Sequence, residues 1–519
     1  MKRNTIIVGT LTLISLLLGF GRESYIAYLF GATDATDAYY VAMIVPDLVA
    51  GWIGYTVTNA LIPVLRKEWD RSLRSGEQLI TTAFLYVGAA SLALAAGVYV
   101  MVHQVVGLLA PNFSAMQHET GDDLLRIMAI AILFSALSGL FSGINNTFEQ
   151  FVYSSLVGIM YNAFFFLTLL VLYRWLGIQA LAYGLLAGVV GRCLVQMVPL
   201  LRSRKLKLEL QLWHPSMKIV VKAMVPIFLS QALTQINQIV DRILASGLPA
   251  GQISNLNYAS KLGQLPTGLI GGTIATTMYI RFVRSHNEGN LGEMGRLYRK
   301  GVSWIIFAGL LVSSGLIFYG DSLVAVFYYH GKFTLGDLHV TASLLQIYGG
   351  FSFFYMMLPI TVQFFFSFHG GQKIILASVG AVIANLVCGY ALVQSYGVKG
   401  LVVANGLSVA ANVLILYTLA MRKLQAGVLR HSLQVLQAVA PGGAVLLAAL
   451  IGYALVVPSS VEASKLLLMA RGGGALLVTG VLVLLVAKAI FRHNDILSTL
   501  LKMVEQAVKR LIPRKKVQM

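Results

Sequence analysis

Charge is scarce in this chain, and acid is scarcer than base: only 11% of the 519 residues are charged, with 20 Asp and Glu against 39 Lys and Arg. Soluble domains carry about 25% charged residues. With hydrophobic residues at 57% and mean hydropathy at +0.77, that shortage excludes a soluble globular protein. Cysteine is almost missing. Cys193 and Cys388 both sit in apolar runs, which argues against a disulfide framework or thiolate metal site and leaves two small buried hydrophobes. Enzyme signatures are lacking too. The nine histidines form no HExxH pattern, no Ser/His/Asp arrangement stands at a usable depth, and HGKF at 330–333 lacks the flanking residues of a phosphate loop. ATP hydrolysis and enzymatic chemistry in general are therefore not expected. The formal charge of +19 has no soluble domain to sit on, so nucleic-acid binding is not expected either. Finally, no small-residue cleavage site follows MKRNTIIVGTLTLISLLLGF, so the N-terminus reads as an uncleaved first membrane helix.

What fills the chain is apolar segments long enough to span a bilayer, which takes about 20 residues each. They lie near 5–30, 36–65, 78–110, 123–148, 151–173, 178–201, 219–246, 253–280, 301–327, 338–368, 374–394, 400–421, 434–457 and 465–491. The expected fold class is an all-α polytopic membrane protein of about fourteen transmembrane helices. With the N-terminus inside, the outer loops and ends hold only Arg126, Arg174, Lys332, Lys399 and Lys465 among the basic residues, while 66–74, 202–222, 281–300 and 488–516 are rich in them. That asymmetry predicts both termini in the cytoplasm.

A weak internal repeat at an offset of about 220 residues pairs Pro46 with Pro266, so helices 1–6 and 7–12 are expected as parallel halves with a substrate site between them. RKLKLELQLW at 204–213 alternates with period two, and 494–516 has an apolar helical face opposite lysines. The second reads as an amphipathic helix lying on anionic lipid.

Some charges fall where lipid would punish them. Arg22 is nine residues inside the first span, roughly 13 Å from its outer end at about 1.5 Å per residue. Glu23, Asp47 and Lys261 reach similar depths. Facing lipid, each would cost at least about 2.5 to 3.5 kcal/mol, so they must face a wet or protein-lined cavity. Two explanations compete: an internal ion pair that clamps helices, or a site for an anion from outside. Lys261, with Asn257, Ser260 and Gln264 as neighbours and no adjacent carboxylate, favours the second. Asp241 and Arg242 lie near a span end, where snorkelling and ion coupling weigh equally. Arg192 and Arg471 are expected to be topological or lipid-headgroup contacts.

LGFGRESYIAYLFGATDATDAYYVAMIVP and QINQIVDRILASGLPAGQISNLNYASKLGQLPTGL resemble helices one and two, and seven and eight, of the MviN/MurJ lipid II flippase family. APNF at 110–113, YNAFF at 161–165 and HGKFT at 330–334 are similar as well, so the likeness covers almost the whole chain. The resemblance implies a multidrug/oligosaccharidyl-lipid/polysaccharide exporter fold. An N-terminal lobe would occupy 1–201, a cytoplasmic amphipathic linker 202–218, a C-terminal lobe 219–425, helices lining a lipid-tail groove 426–491, and a basic amphipathic tail 492–519.

It also implies a monomer in the bacterial cytoplasmic membrane that flips undecaprenyl-diphosphate-linked peptidoglycan precursor, lipid II, by alternating access. No cofactor is expected; a coupling cation or the membrane potential would drive the cycle. Arg22, Glu23, Asp37 and Lys261 match family positions and, with Asp47, form the expected substrate site. Asp241 and Asn385 are candidate cation ligands by the same likeness. The chain departs from the family at Leu16, Ala50 and Gly51, where relatives carry basic residues, and in having lysine at 261. Those departures keep open a flippase for another undecaprenyl-linked oligosaccharide, such as an exopolysaccharide or teichoic-type unit. A scaffold that has lost transport would explain them too, whereas the cations Arg22 and Lys261 speak against a cation-coupled small-molecule exporter.

Overall fold

The computed structural model describes residues 2–202, 212–368, 370–424 and 474, and every regular element among them is helical. They are α1 (Lys2–Phe30), α2 (Asp34–Ala42), α3 (Ile44–Val49), a π-turn (Ala50–Gly54), α4 (Tyr55–Arg71), α5 (Leu73–Val100), α6 (Val102–Leu109), α7 (Ala115–Thr147), α8 (Phe151–Leu176) and α9 (Gln179–Arg202). After the linker come α10 (Met217–Ala245), α11 (Gln252–Asn287), α12 (Leu291–Phe327), α13 (Leu335–Phe366), α14 (Gly371–Tyr396) and α15 (Val398–Lys423). Ten helical stretches among the described residues are long and apolar enough to cross a membrane, α2 to α4 counting as one. The all-helical membrane class therefore stands as expected. The spans at 434–457 and 465–491, Arg471, the basic tail and most of the alternating 204–213 segment lie outside the described residues.

The second expected span, 36–65, is broken. Pro46 has no N–H to give to Ala42 and its ring crowds that carbonyl, so α2 ends at Ala42 and Met43 separates it from α3. The chain then passes through the π-turn into α4. There α4 meets α7 across two glycines: a Cβ on Gly139 would lie 2.3 Å from the Gly54 Cα. Thr58 Oγ1 donates across this crossing to Gly139 O and within its helix to Gly54 O, both at 2.7 Å. Small residues plus a hydroxyl form the close packing expected of helices in lipid, where burial from water supplies no force between them.

The helices divide into two compact units. The first holds 1–265, 327–344 and 372–412; the second holds 266–326, 345–371 and, of the described residues beyond 412, 413–424 and 474. In the first, α8 lies between α1 and α9, while α7 packs on α2, α4, α5 and α9. Polar cross-links tie α7 to α9: Ser138 Oγ donates to Gln196 Oε1 (2.7 Å) and Asn145 Nδ2 to Gln196 O (3.0 Å). In the second, Ser313 Oγ donates to Gly349 O (2.7 Å), and Phe282, Tyr298, Phe364 and Phe368 stack around the Tyr298–Thr361 hydrogen bond (3.1 Å).

Candidate substrate cavity

The sequence-predicted site residues Arg22, Glu23, Asp37, Asp47, Asp241, Lys261 and Asn385 all fall in the first unit. Inside it, α1, α3, α7, α8 and α9, with Met43 from the break before α3, line a cavity of about 180 Å³ formed by Arg22, Met43, Pro46, Asp47, Ser135, Tyr161, Leu185, Val189 and Arg192. The Pro46 break places Asp47 in the first turn of α3, where its side chain is open to the cavity. Asp47 makes no hydrogen bond or ion pair with the described residues, yet Lys261, Arg22 and Arg192 all act on it electrostatically.

Arg22 is held from one side. Its Nη2 pairs with Glu23 Oε1 at 2.7 Å, and its guanidinium carbon lies 5.1 Å from the Tyr161 ring centre and 5.2 Å from that of Phe165. Glu23 is almost wholly buried, and its other oxygen accepts from Tyr40 OH (2.9 Å) and Asn257 Nδ2 (3.2 Å). This arrangement fixes a carboxylate so that it orients the arginine while leaving the arginine's Nε without a partner. Lys261 does not line the cavity; its charge acts on Glu23 and Asp47 from α11, and it forms no hydrogen bond or ion pair among the described residues.

Asp37 is elsewhere. It is buried at the start of α2, where one oxygen accepts from Gly251 N–H (2.7 Å) and the other from Ser254 N–H (2.7 Å) and Ser254 Oγ (2.5 Å). Those amides lie at the start of α11, Gly251 just before it and Ser254 in its first turn, where N–H groups have no partner within the helix. Asp37 thus caps α11 from another helix, and Thr36 adds a bond to Ser254 Oγ (2.8 Å). Gly251, at φ +82, lets the backbone approach: a Cβ there would lie 2.4 Å from Ala32 O.

A model of the lipid II flippase MurJ family matches residues 26–471. The chain belongs to that family. Among its relatives, the lipid II flippase MurJ of Burkholderia cenocepacia is 27% identical over 443 residues, covering 81% of this chain and 84% of the relative. The probable lipid II flippase MurJ of Buchnera aphidicola subsp. Schizaphis graminum is 28% identical over 386 residues, covering 70% and 72%. The fold matches a solved lipid II flippase MurJ in an inward closed conformation, with TM-score 0.80 and 20% identity over 94% of this chain and 99% of that one. It also matches an inward-facing multidrug resistance MATE family transporter, with TM-score 0.69 and 13% identity over 81% and 98%. The family consists of transporters, not enzymes.

Within this member of the MurJ family, one expectation about arginines changes. Arg192 is not a lipid contact: it lines the cavity, donates from Nη2 to Ser135 Oγ (3.0 Å), and lies 5.7 Å from the Tyr161 ring centre. The depth count that singled out Arg22 would have found it, since Arg192 stands ten residues before Arg202, roughly 15 Å along the helix. Arg242, for which snorkelling and ion coupling weighed equally, donates to Ile253 O (3.2 Å) and Asn257 Oδ1 (3.4 Å). Its neighbour Asp241 accepts from Asn385 Nδ2 (3.0 Å) and Asn405 Nδ2 (2.9 Å). Both amides therefore offer N–H to the carboxylate, and the described residues contain no cluster of three or more His, Cys, Asp or Glu fit for a metal.

Proposed function

We propose that this protein moves lipid II from the inner to the outer leaflet of the bacterial cytoplasmic membrane by alternating access, with both termini in the cytoplasm. The observation that carries the reading is the cationic cavity of the first unit, where Arg22 and Arg192 each have a buried Nε without a partner. A diphosphate crossing hydrocarbon unaided would lose its hydration; fixed guanidinium donors substitute for that water and lower the barrier. Glu23 positions Arg22, and Asp47 serves as the counter-charge that the substrate displaces. The prenyl chain stays in lipid.

Driving force follows from charge alone. A potential negative inside favours outward movement of an anion by about 2.3 kcal/mol per charge per 100 mV, so a dianionic headgroup gains roughly twice that. No step needs a cation at Asp241. The Asp37 cap, on the end of the bundle that the basic-residue asymmetry places outside, serves as a latch that holds the outer ends of α2 and α11 together.

The test is rescue of a strain depleted of its own lipid II flippase, by wild type and by Lys261→Arg. Rescue by the wild type, equalled by Lys261→Arg, supports lipid II as substrate, because Lys261 acts on the site from outside its lining through a charge that arginine keeps. Failure of both at normal membrane levels refutes it and leaves another undecaprenyl-linked glycan as the cargo.

A further inference from the structure

The cavity holds more cation than the sequence motifs accounted for. Arg192 comes from α9, opposite in chain order from the α1 arginine, yet both guanidinium groups lie beside one ring, Tyr161, at 5.1 and 5.7 Å. Their surroundings differ. Arg22 has a carboxylate in direct contact; among the described residues Arg192 has the neutral Ser135 hydroxyl and no carboxylate within ion-pair distance. Its Nε is buried and unpartnered. A buried guanidinium without a salt bridge is expensive to keep, and the Tyr161 face, the Ser135 hydroxyl and the distant Asp47 charge offset that cost less than an anion in direct contact would.

We infer that Arg192, aimed by Ser135, is a second anion subsite that grips the substrate's diphosphate through its Nε–Nη edge, jointly with Arg22 across Tyr161. This rests on the proposed function and names the residue that supplies its phosphate geometry. The lysine at 261 offers a point charge and sits outside the cavity lining, so it cannot make the paired, directed bonds of a guanidinium. Arg192 can. Leu16, Ala50 and Gly51, the positions where relatives carry basic residues, are then compensated from a different helix. Asp47 completes the device: it lies in the field of both arginines without bonding to either, so it balances them when the cavity is empty and yields to a stronger anion.

The probe is undecaprenyl diphosphate, which carries the diphosphate without sugar or peptide, bound to full-length purified protein in detergent and competed with phosphatidylglycerol. Arg192→Gln should bind it at least about tenfold more weakly than wild type, the loss expected for one charged hydrogen-bonding group. Arg192→Lys should recover only part of the loss. Ser135→Ala should weaken binding by less, since it loosens the aim and keeps the charge.

Equal binding by wild type and Arg192→Gln would overturn the inference. So would absence of binding by the wild type, full activity of Arg192→Lys, or equal competition by phosphatidylglycerol, which would make the site a lipid-headgroup contact. If Arg192→Gln does not accumulate, Arg192→Lys and Ser135→Ala decide the matter. A binding defect in these variants, in a wild type that fails to rescue a lipid II flippase strain, would leave the subsite standing and refute only the lipid II assignment.

Discussion

Asp37 is the residue for which the family likeness and the geometry point to different roles, so its replacement is the sharpest test of the transport cycle. Asp37→Asn keeps the shape but leaves one carbonyl oxygen where two charged oxygens accepted from Gly251 N–H, Ser254 N–H and Ser254 Oγ. One of the two backbone amides then faces an NH2 group. A hydrogen bond to a charged group is worth about 1.5 to 3 kcal/mol, and an unsatisfied buried N–H costs about 1 to 3 kcal/mol. A net loss of about 3 kcal/mol corresponds to roughly a hundredfold shift toward the unlatched form.

The assay places a single cysteine at Ala32, beside Gly251, in a Cys193→Ala, Cys388→Ala background, and follows its labelling by a membrane-impermeant maleimide in cells. Labelling should be much faster with Asp37→Asn, and less so with Ser254→Ala, which retains the carboxylate and both amides. Unchanged labelling together with weakened binding of undecaprenyl diphosphate would show Asp37 to be a substrate ligand and remove the latch from the mechanism.

Two further predictions concern stability. Gly139→Ala puts a methyl 2.3 Å from Gly54 Cα, forcing α7 away from α4 at a cost of about 1 to 3 kcal/mol; the melting temperature in detergent should fall, and an unchanged value would mean the two helices are not held in this contact. His214 closes a chain of bonds at the base of α10: its Nδ1 accepts from Ser216 N–H (3.2 Å), its Nε2 bonds Ser75 Oγ (3.1 Å), and Ser75 and Ser216 both donate to Glu68 (2.7 and 2.8 Å). Burial lowers the imidazole from its ordinary 6.5, against the opposing pull of Glu68 and with help from Arg71. A lowered folded value means the neutral ring is the folded form, so its contribution is whole above 6.5 and is lost as pH falls through the lowered value. Between about pH 7 and 5 the wild type should lose more thermal stability than His214→Ala, and parallel pH profiles would refute the lock.

Sequence alone settled the membrane class, because hydrocarbon demands about 20 apolar residues per span and nothing in tertiary packing can relax that demand. It also placed Arg22, Glu23, Asp47 and Lys261 at mid-depth, since rise per residue converts position into distance. The break at Pro46 was not expected from the sequence, where 36–65 read as one span, although its cause is local, since proline acts on its own helix. Which charges share a cavity was not legible. Depth along a helix says nothing about the direction in which a side chain points, and direction is fixed only when α1, α8 and α9 pack together. That packing brings Arg192 beside the Tyr161 that Arg22 also touches, and leaves Lys261 outside the lining. Likewise Asp37 and the first turn of α11 are more than two hundred residues apart; only the fold could make the one a cap for the other.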